Sequence, residues 1–163
     1  RVYDTFKNTL EDFDNERALA NSKSRLRMVT LYQIAGTTTG IVVGTGNKVE
    51  DFGVGFYTKY GDGGVDISPI ADLTKSKVYE LARELEIDQR IIDAPPTDGL
   101  WEDGRTDLDQ LNGLTYEQLE RAMVMHEKGY IAIGDDAKIL EEYRKIRAVS
   151  KHKMKPIPVY KIR

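Results

Sequence analysis

Three stretches of this 163-residue chain hold residue types that do chemistry, and in the first two glycines let the backbone approach a ligand closely. The first is Gly44-Thr45-Gly46-Asn47-Lys48-Val49-Glu50-Asp51. Thr45 offers a hydroxyl beside free backbone donors, and Glu50 offers the hard carboxylate oxygen that Mg2+ prefers. The second, Thr58-Lys59-Tyr60-Gly61-Asp62-Gly63-Gly64-Val65-Asp66, sets a cation and two carboxylates around flexible glycines. The third is Lys151-His152-Lys153, within a segment, 144–163, that holds eight of the 24 lysines and arginines and none of the 27 acidic residues. A basic end on an acidic body attracts phosphate. Each stretch also has a plainer and commoner role on composition alone: Glu50 as a helix-capping acid, 58–66 as a surface turn, and the basic end as a solvated tail.

The elements that must position these residues follow from periodicity and caps. Asp14 is placed to cap a helix running to about Ile34, with Leu19, Leu26, Val29 and Tyr32 on its apolar stripe and Gly36 as its stop. Gly40-Ile41-Val42-Val43-Gly44-Thr45 is a short β-branched run between glycines and predicts a strand buried on both faces of a parallel sheet. Its carboxyl end is where α/β sheets bind ligands, which is where Thr45 and Glu50 stand. Asp72 or Thr74 opens a helix to about Leu85 with Val78, Leu81, Ala82 and Leu85 at helical spacing, and Pro95-Pro96 forbids helix beyond Ile92. Thr115 and Gln118 have capping-box spacing for a helix to about Lys128, with Leu119, Ala122 and Met123 inward. Asp135-Asp136 leads a last helix to about Val149 through Ile139, Leu140, Tyr143 and Ile146.

Composition narrows the classes. Without cysteine there is no disulfide, thiolate nucleophile or thiolate metal site, and two histidines are too few for a His-rich metal centre. No apolar run approaches the roughly 20 residues of a membrane helix, and no charged-then-apolar leader opens the chain, so the expectation is a cytoplasmic protein with no membrane partner. Nucleic acid is not an expected partner either, because Tyr160 alone interleaves an aromatic ring with the basic end. A lone buried strand cannot satisfy its own N–H and C=O groups. The expectation is therefore one incomplete α/β domain over 1–163: either its N-terminal strands lie outside this chain or a partner supplies the covering surface.

Several of these motifs occur together in register. Gly44 to Asp51, Gly55-Phe56-Tyr57-Thr58-Lys59-Tyr60-Gly61-Asp62-Gly63-Gly64-Val65-Asp66, Pro95-Pro96-Thr97-Asp98-Gly99-Leu100-Trp101, Gly104-Arg105-Thr106-Asp107, Asn21 to Met28 and Lys151-His152-Lys153 resemble the ammonia-dependent NAD+ synthetases, within the N-type ATP pyrophosphatases. The resemblance implies a Rossmann-like, adenine-nucleotide α-hydrolase-like parallel sheet flanked by helices. It implies an amide-forming ligase that uses ATP and Mg2+ to adenylate the nicotinate carboxylate of deamido-NAD+, after which ammonia displaces AMP. It implies ATP contacts at Thr45, Lys75 and Thr97, deamido-NAD+ contacts at Arg25, Lys59, Asp66, His152 and Lys153, a Mg2+ ligand at Glu50, and a homodimer. Lys75 is also the residue expected to stabilise charge in the reaction. Without the resemblance, Lys75 reads as a solvent-facing helix lysine and Arg25 as an exposed position on an amphipathic helix.

One family feature is missing. Members carry Ser-Gly-Gly-x-Asp-Ser between the first strand and helix, and no such string occurs in this sequence. A loop of that kind cradles phosphates with backbone N–H groups and adds a second Mg2+ carboxylate. The chain is accordingly expected to be N-terminally incomplete. Two other readings stand beside the first: the synthetase domain of a glutamine-dependent enzyme, and a non-catalytic dinucleotide-binding fragment.

Overall fold

A computed structural model describes residues 1–162; Arg163, the last residue of the basic segment, lies outside the described residues. Helix α1 (Val2–Thr9) and a 3-10 turn (Glu11–Phe13) lead into the long helix α2 (Glu16–Thr38). The cap is Asn15 rather than Asp14: its side chain accepts a hydrogen bond from the Ala18 amide. The stop is also later than Gly36 predicts, because Thr39 takes the left-handed conformation (φ 54°) and closes on the Ala35 carbonyl. The apolar stripe expected on α2 is partly covered: Leu19, Leu26 and Tyr32 are half-buried, while Val29 is 57% exposed. The buried positions of the helix are Ala20, Ser24 and Ala35.

The segment 40–45 does not form the predicted strand. A single parallel bridge joins Val43 to Ile67, supported by Gly44 N–H donating to the Ile67 carbonyl (2.7 Å) and Asp66 N–H donating to Val42 (2.9 Å). Val42 is buried, but Ile41 and Val43 are 59% and 51% exposed, so the segment is covered on one side rather than both. A ladder needs partner strands on each side, and here one neighbouring segment supplies all the pairing among the described residues. The parallel sheet is thus absent from them.

The core is built on part of the glycine-rich stretch itself. Helices α6 (Tyr116–Lys128) and α7 (Gly134–Ser150) pack together over a π-helical turn, Val49–Val54. Val49, Val54, Leu119, Ala122 and Tyr143 are fully buried there, with Met123, Ile139 and Leu140 nearly so. The Thr115/Gln118 capping box forms as expected, and Gly129 in the left-handed conformation ends α6. Tyr143 donates its hydroxyl to the Gly53 carbonyl (3.1 Å), and Arg147 donates to the Phe52 and Gly53 carbonyls. Helix α7 therefore fixes the exit of the π turn by both burial and hydrogen bonds. Such turns carry one extra residue per turn and recur at functional sites.

Helix α3 (Lys75–Glu84) starts at Thr74, whose side chain accepts from Lys77 N–H. It buries no residue, and Leu81 and Leu85 stay exposed, so its predicted apolar stripe is only half used. Two four-residue helices, α4 (Gln89–Ile92) and α5 (Asp107–Gln110), flank the loop 94–106. Neither is long enough to leave a periodic signal.

Candidate active site

The site is assembled from the residues after the bridge. Asn47 is buried, and its side-chain oxygen accepts from the amides of Val49 (3.0 Å) and Glu50 (3.1 Å), capping the π turn where a run of orphan N–H groups would otherwise face inward. The cap points Glu50 into the protein. Its Oε1 accepts from Lys75 Nζ (3.1 Å) and from the Tyr116 hydroxyl (2.5 Å), and its side chain is only 14% exposed. Lys75, the first residue of α3, lies over the Tyr116 ring at 4.7 Å. Glu50, the expected Mg2+ ligand, and Lys75, an expected ATP contact, thus meet through one partly buried ion pair.

Tyr116 also lies 2.8 Å from Asp107 Oδ2, and the second oxygen of buried Asp107 has no hydrogen-bond partner. A phenol has one hydrogen and cannot donate to two carboxylates at once. The second contact requires a proton from a carboxylic acid, and Asp107 is the group placed to hold it: burial is the main influence raising its pKa, although the Tyr116 hydrogen bond pulls the other way. Burial and the adjacent Glu50 and Asp107 push the Tyr116 hydroxyl far above the usual phenol range, so it remains protonated.

Asp51 lies between this cluster and the next. Its carboxylate sits so close to Gly46 that a Cβ on that glycine would fall 2.2 Å from it. Burial, with Glu50 and Asp62 adding repulsion, pushes Asp51 up to about 6. Beyond it, Asp62 is gripped by buried Ser24 of α2: Ser24 Oγ donates to Asp62 Oδ1 (2.7 Å), the Asp62 amide returns a bond to Oγ (3.0 Å), and the Thr58 amide donates to the same carboxylate (2.9 Å).

The predicted dinucleotide contacts gather around that loop. Arg25 donates to the Lys59 carbonyl (3.2 Å), Lys59 Nζ reaches the His152 carbonyl (3.4 Å), and Lys153 Nζ donates to the Tyr57 carbonyl (2.6 Å) over the Tyr57 ring. Burial pulls the Lys153 pKa down. The start of the basic end is therefore docked against 57–59 rather than solvated, while the side chain of His152 is exposed. Asp66 stands apart from that group, holding the Val42 amide (2.7 Å) and the Tyr32 hydroxyl (3.1 Å). Thr45 is exposed, and Thr97 sits in the 94–106 loop, donating to the Arg105 carbonyl (3.3 Å). Among the described residues, neither Thr45 nor Thr97 hydrogen-bonds to the Glu50–Lys75 pair. Reading the sequence left Asn47, Asp51, Tyr116 and Asp107 without roles. Asn47 two residues before an amide run is a cap signal that could have been found, whereas nothing local distinguishes Tyr116.

Glu50 is a hard donor, and its Oε2 has only a long 3.3 Å bond from the Asn47 amide. Among the described residues no group of three acidic or histidine side chains could hold a metal ion on its own. That donor set suits Mg2+ held jointly by one carboxylate and substrate phosphates, the usual manner for this ion.

Comparison with known proteins decides the family. The profile described as NAD synthase matches residues 1–156. The chain belongs to the NAD synthase family. Curated relatives include the NH(3)-dependent NAD(+) synthetases of Thermoplasma volcanium, 43% identical over 88% of this chain, and Carboxydothermus hydrogenoformans, 40% identical over 94%. In each case the chain spans 59% of the relative's length. Among solved structures, the NMN synthetase from Francisella tularensis superposes with a TM-score of 0.84 at 34% identity, over 99% of this chain and 63% of that one. The NH3-dependent NAD synthetase from Campylobacter jejuni gives 0.69 at 23% identity, covering 98% and 62%, a likeness of fold. The glutamine-dependent NAD+ synthetase from Acinetobacter baumannii gives 0.54 at 22% identity, covering 98% of this chain and 30% of its own, again a likeness of fold alone. Among the described residues, no helix is long and apolar enough to cross a membrane.

Proposed function

We propose that the protein is an ammonia-dependent NAD+ synthetase: with ATP it adenylates the nicotinate carboxylate of deamido-NAD+, and ammonia then displaces AMP to leave the amide. The observation that carries this reading is the Glu50–Lys75 pair, 3.1 Å apart at the mouth of the Gly44-Thr45-Gly46-Asn47 turn, in a chain of this family. A carboxylate is a poor electrophile until one of its oxygens becomes a good leaving group, so positive charge must be held where pyrophosphate departs. Lys75 at the start of α3 supplies a cation beside helix N–H groups, a fitting anion site. Thr45 and Thr97 complete the ATP contacts. Mg2+, held by Glu50 and phosphate oxygens, would neutralise the charge of the leaving pyrophosphate.

On the other side of Asp51, Arg25, Lys59 and Lys153 bind and orient the dinucleotide phosphates and carboxylate, with His152 and Asp66 completing that half. The family likeness supports a Rossmann-like parallel sheet to which segment 40–45 contributes a strand. The whole protein is a cytoplasmic homodimer in this reading. One residue-level experiment tests the ligand assignment: Glu50→Gln in the full-length protein should shift activity toward higher Mg2+, and an unchanged Mg2+ dependence would refute it.

A second reading, in which the amidated product is nicotinamide mononucleotide, is favoured by the higher structural likeness to the Francisella NMN synthetase. Offering the full-length protein deamido-NAD+ and nicotinate mononucleotide separately distinguishes the two by which acceptor releases AMP.

A further inference from the structure

The Tyr116 hydroxyl is the point at which the π turn, α3, α5 and α6 meet. It donates to Glu50, contacts Asp107 at 2.8 Å, and its ring lies under the Lys75 ammonium. Asp107 in turn begins α5, and its amide donates to the Pro96 carbonyl (3.0 Å). From α5, Gln110 donates to Asp98 (3.1 Å) and accepts from the Trp101 indole N–H (2.8 Å). Segment 96–101, with Thr97 in it, and α5 are thus tied into one unit. That unit is anchored to α2 through Lys23 and Arg27, which donate to the carbonyls of Leu100, Asp98 and Gly99. Its side-chain link to Glu50 runs through Tyr116.

We propose that Tyr116 is a positioning residue whose hydroxyl, supported by Asp107, locks Glu50 and Lys75 in register with the loop that carries Thr97. This rests on the reading of Glu50, Lys75 and Thr97 as the ATP half of the site. The physical case is that an ion pair of two flexible side chains is held in one geometry only by further contacts, and outer contacts of this kind fix the orientation of groups that touch ligand or metal. Without the hydroxyl, Glu50 loses its shortest hydrogen bond, and Asp107 loses the only partner its carboxylate has among the described residues.

The test uses the full-length protein with Tyr116→Phe, which keeps the ring beneath Lys75. Hydrogen–deuterium exchange without ligand should speed up at least about fivefold in both 49–54 and 94–107, since both segments lose one shared tie. Calorimetry with Mg2+ and ATP should show affinity falling by about 10–100-fold, the usual cost of removing an outer contact. Kinetics should show kcat/KM for ATP falling with it while KM for deamido-NAD+ stays within about twofold. Asp107→Asn should rescue, because its amide donates to the Tyr116 oxygen and leaves the hydroxyl hydrogen on Glu50, whereas Asp107→Ala should behave like Tyr116→Phe. Unchanged exchange in both segments, or an Asp107→Asn variant as impaired as Asp107→Ala, overturns the proposal. If the wild-type protein releases no AMP with any acceptor, the ligase reading fails, and exchange still decides whether Tyr116 couples the two segments.

Discussion

The grip of Ser24 on Asp62 depends on the absence of a side chain at Gly61, and one added methyl group tests it. A Cβ at Gly61 would lie 2.2 Å from Ser24 Oγ, 3.0 Å from Ser24 Cβ and 2.9 Å from Thr58 Cγ2. Ser24 is 4% exposed on a long helix, so it has no open direction in which to yield. Gly61→Ala must therefore either strain the packing, at about 1–3 kcal/mol, or push the hydroxyl off Asp62 and lose a charged hydrogen bond of about 1.5–3 kcal/mol. Because relief of one is the cause of the other, the two do not sum, and roughly 1–3 kcal/mol is the expected destabilisation. For a protein of this size that lowers Tm by about 2–12 °C. Thermal melts of wild type, Gly61→Ala, Ser24→Ala and the double variant form a cycle. Removing Oγ takes away the closest clash, so the double variant should cost at least about 1 kcal/mol less than the two singles together. A Gly61→Ala variant within about 0.5 kcal/mol of wild type, or strict additivity in the cycle, would refute this account of the loop.

Three other outcomes follow from the same geometry. Leu119→Ala empties a fully buried position between α6, α7 and the π turn and should cost about 2–5 kcal/mol in urea denaturation, a loss below about 1 kcal/mol being incompatible with that core. Burial, with Arg147 and Arg144 adding repulsion, holds His126 below its ordinary value of 6.5, so the unfolded chain binds more protons just below that pH and stability falls with acidification there. His126→Gln should flatten that slope between about pH 7 and 5.5, and an unchanged slope would show that other groups cause it. Lys153→Met keeps the stem over Tyr57 but removes the donor to its carbonyl, and should raise KM for the dinucleotide with little effect on KM for ATP. Equal effects on both would mean that Lys153 acts through folding.

Local signals were legible where the physics is local. The Thr115/Gln118 box, the Thr74 cap and the inward row of Leu119, Ala122 and Met123 all act within a turn or two of the chain, and all appear as read. The helix after Asp14 was legible in kind but not in its ends, because Asn15 out-competes Asp14 as the cap and Gly36 continues the helix at modest cost. The β-branched run 40–45 shows the opposite case. Its composition demands strand partners, but pairing is a property of other segments, and a single bridge to Ile67 is what the described residues supply. The site divides in the same way. Motifs in register pointed to Glu50, Lys75, Arg25, Lys59 and Lys153, which fall into two clusters on either side of Asp51. Tyr116 carries no local signal, because its role arises from a meeting with Glu50, 66 residues away in sequence.

The ligase reading is tested most directly by product analysis of the full-length protein supplied with ATP, Mg2+, ammonia and deamido-NAD+. The account predicts one AMP and one pyrophosphate released for each NAD+ formed, with no ADP, and the same reaction abolished when ammonia is replaced by glutamine. Release of ADP instead of AMP, or no AMP above background with either deamido-NAD+ or nicotinate mononucleotide, would contradict it.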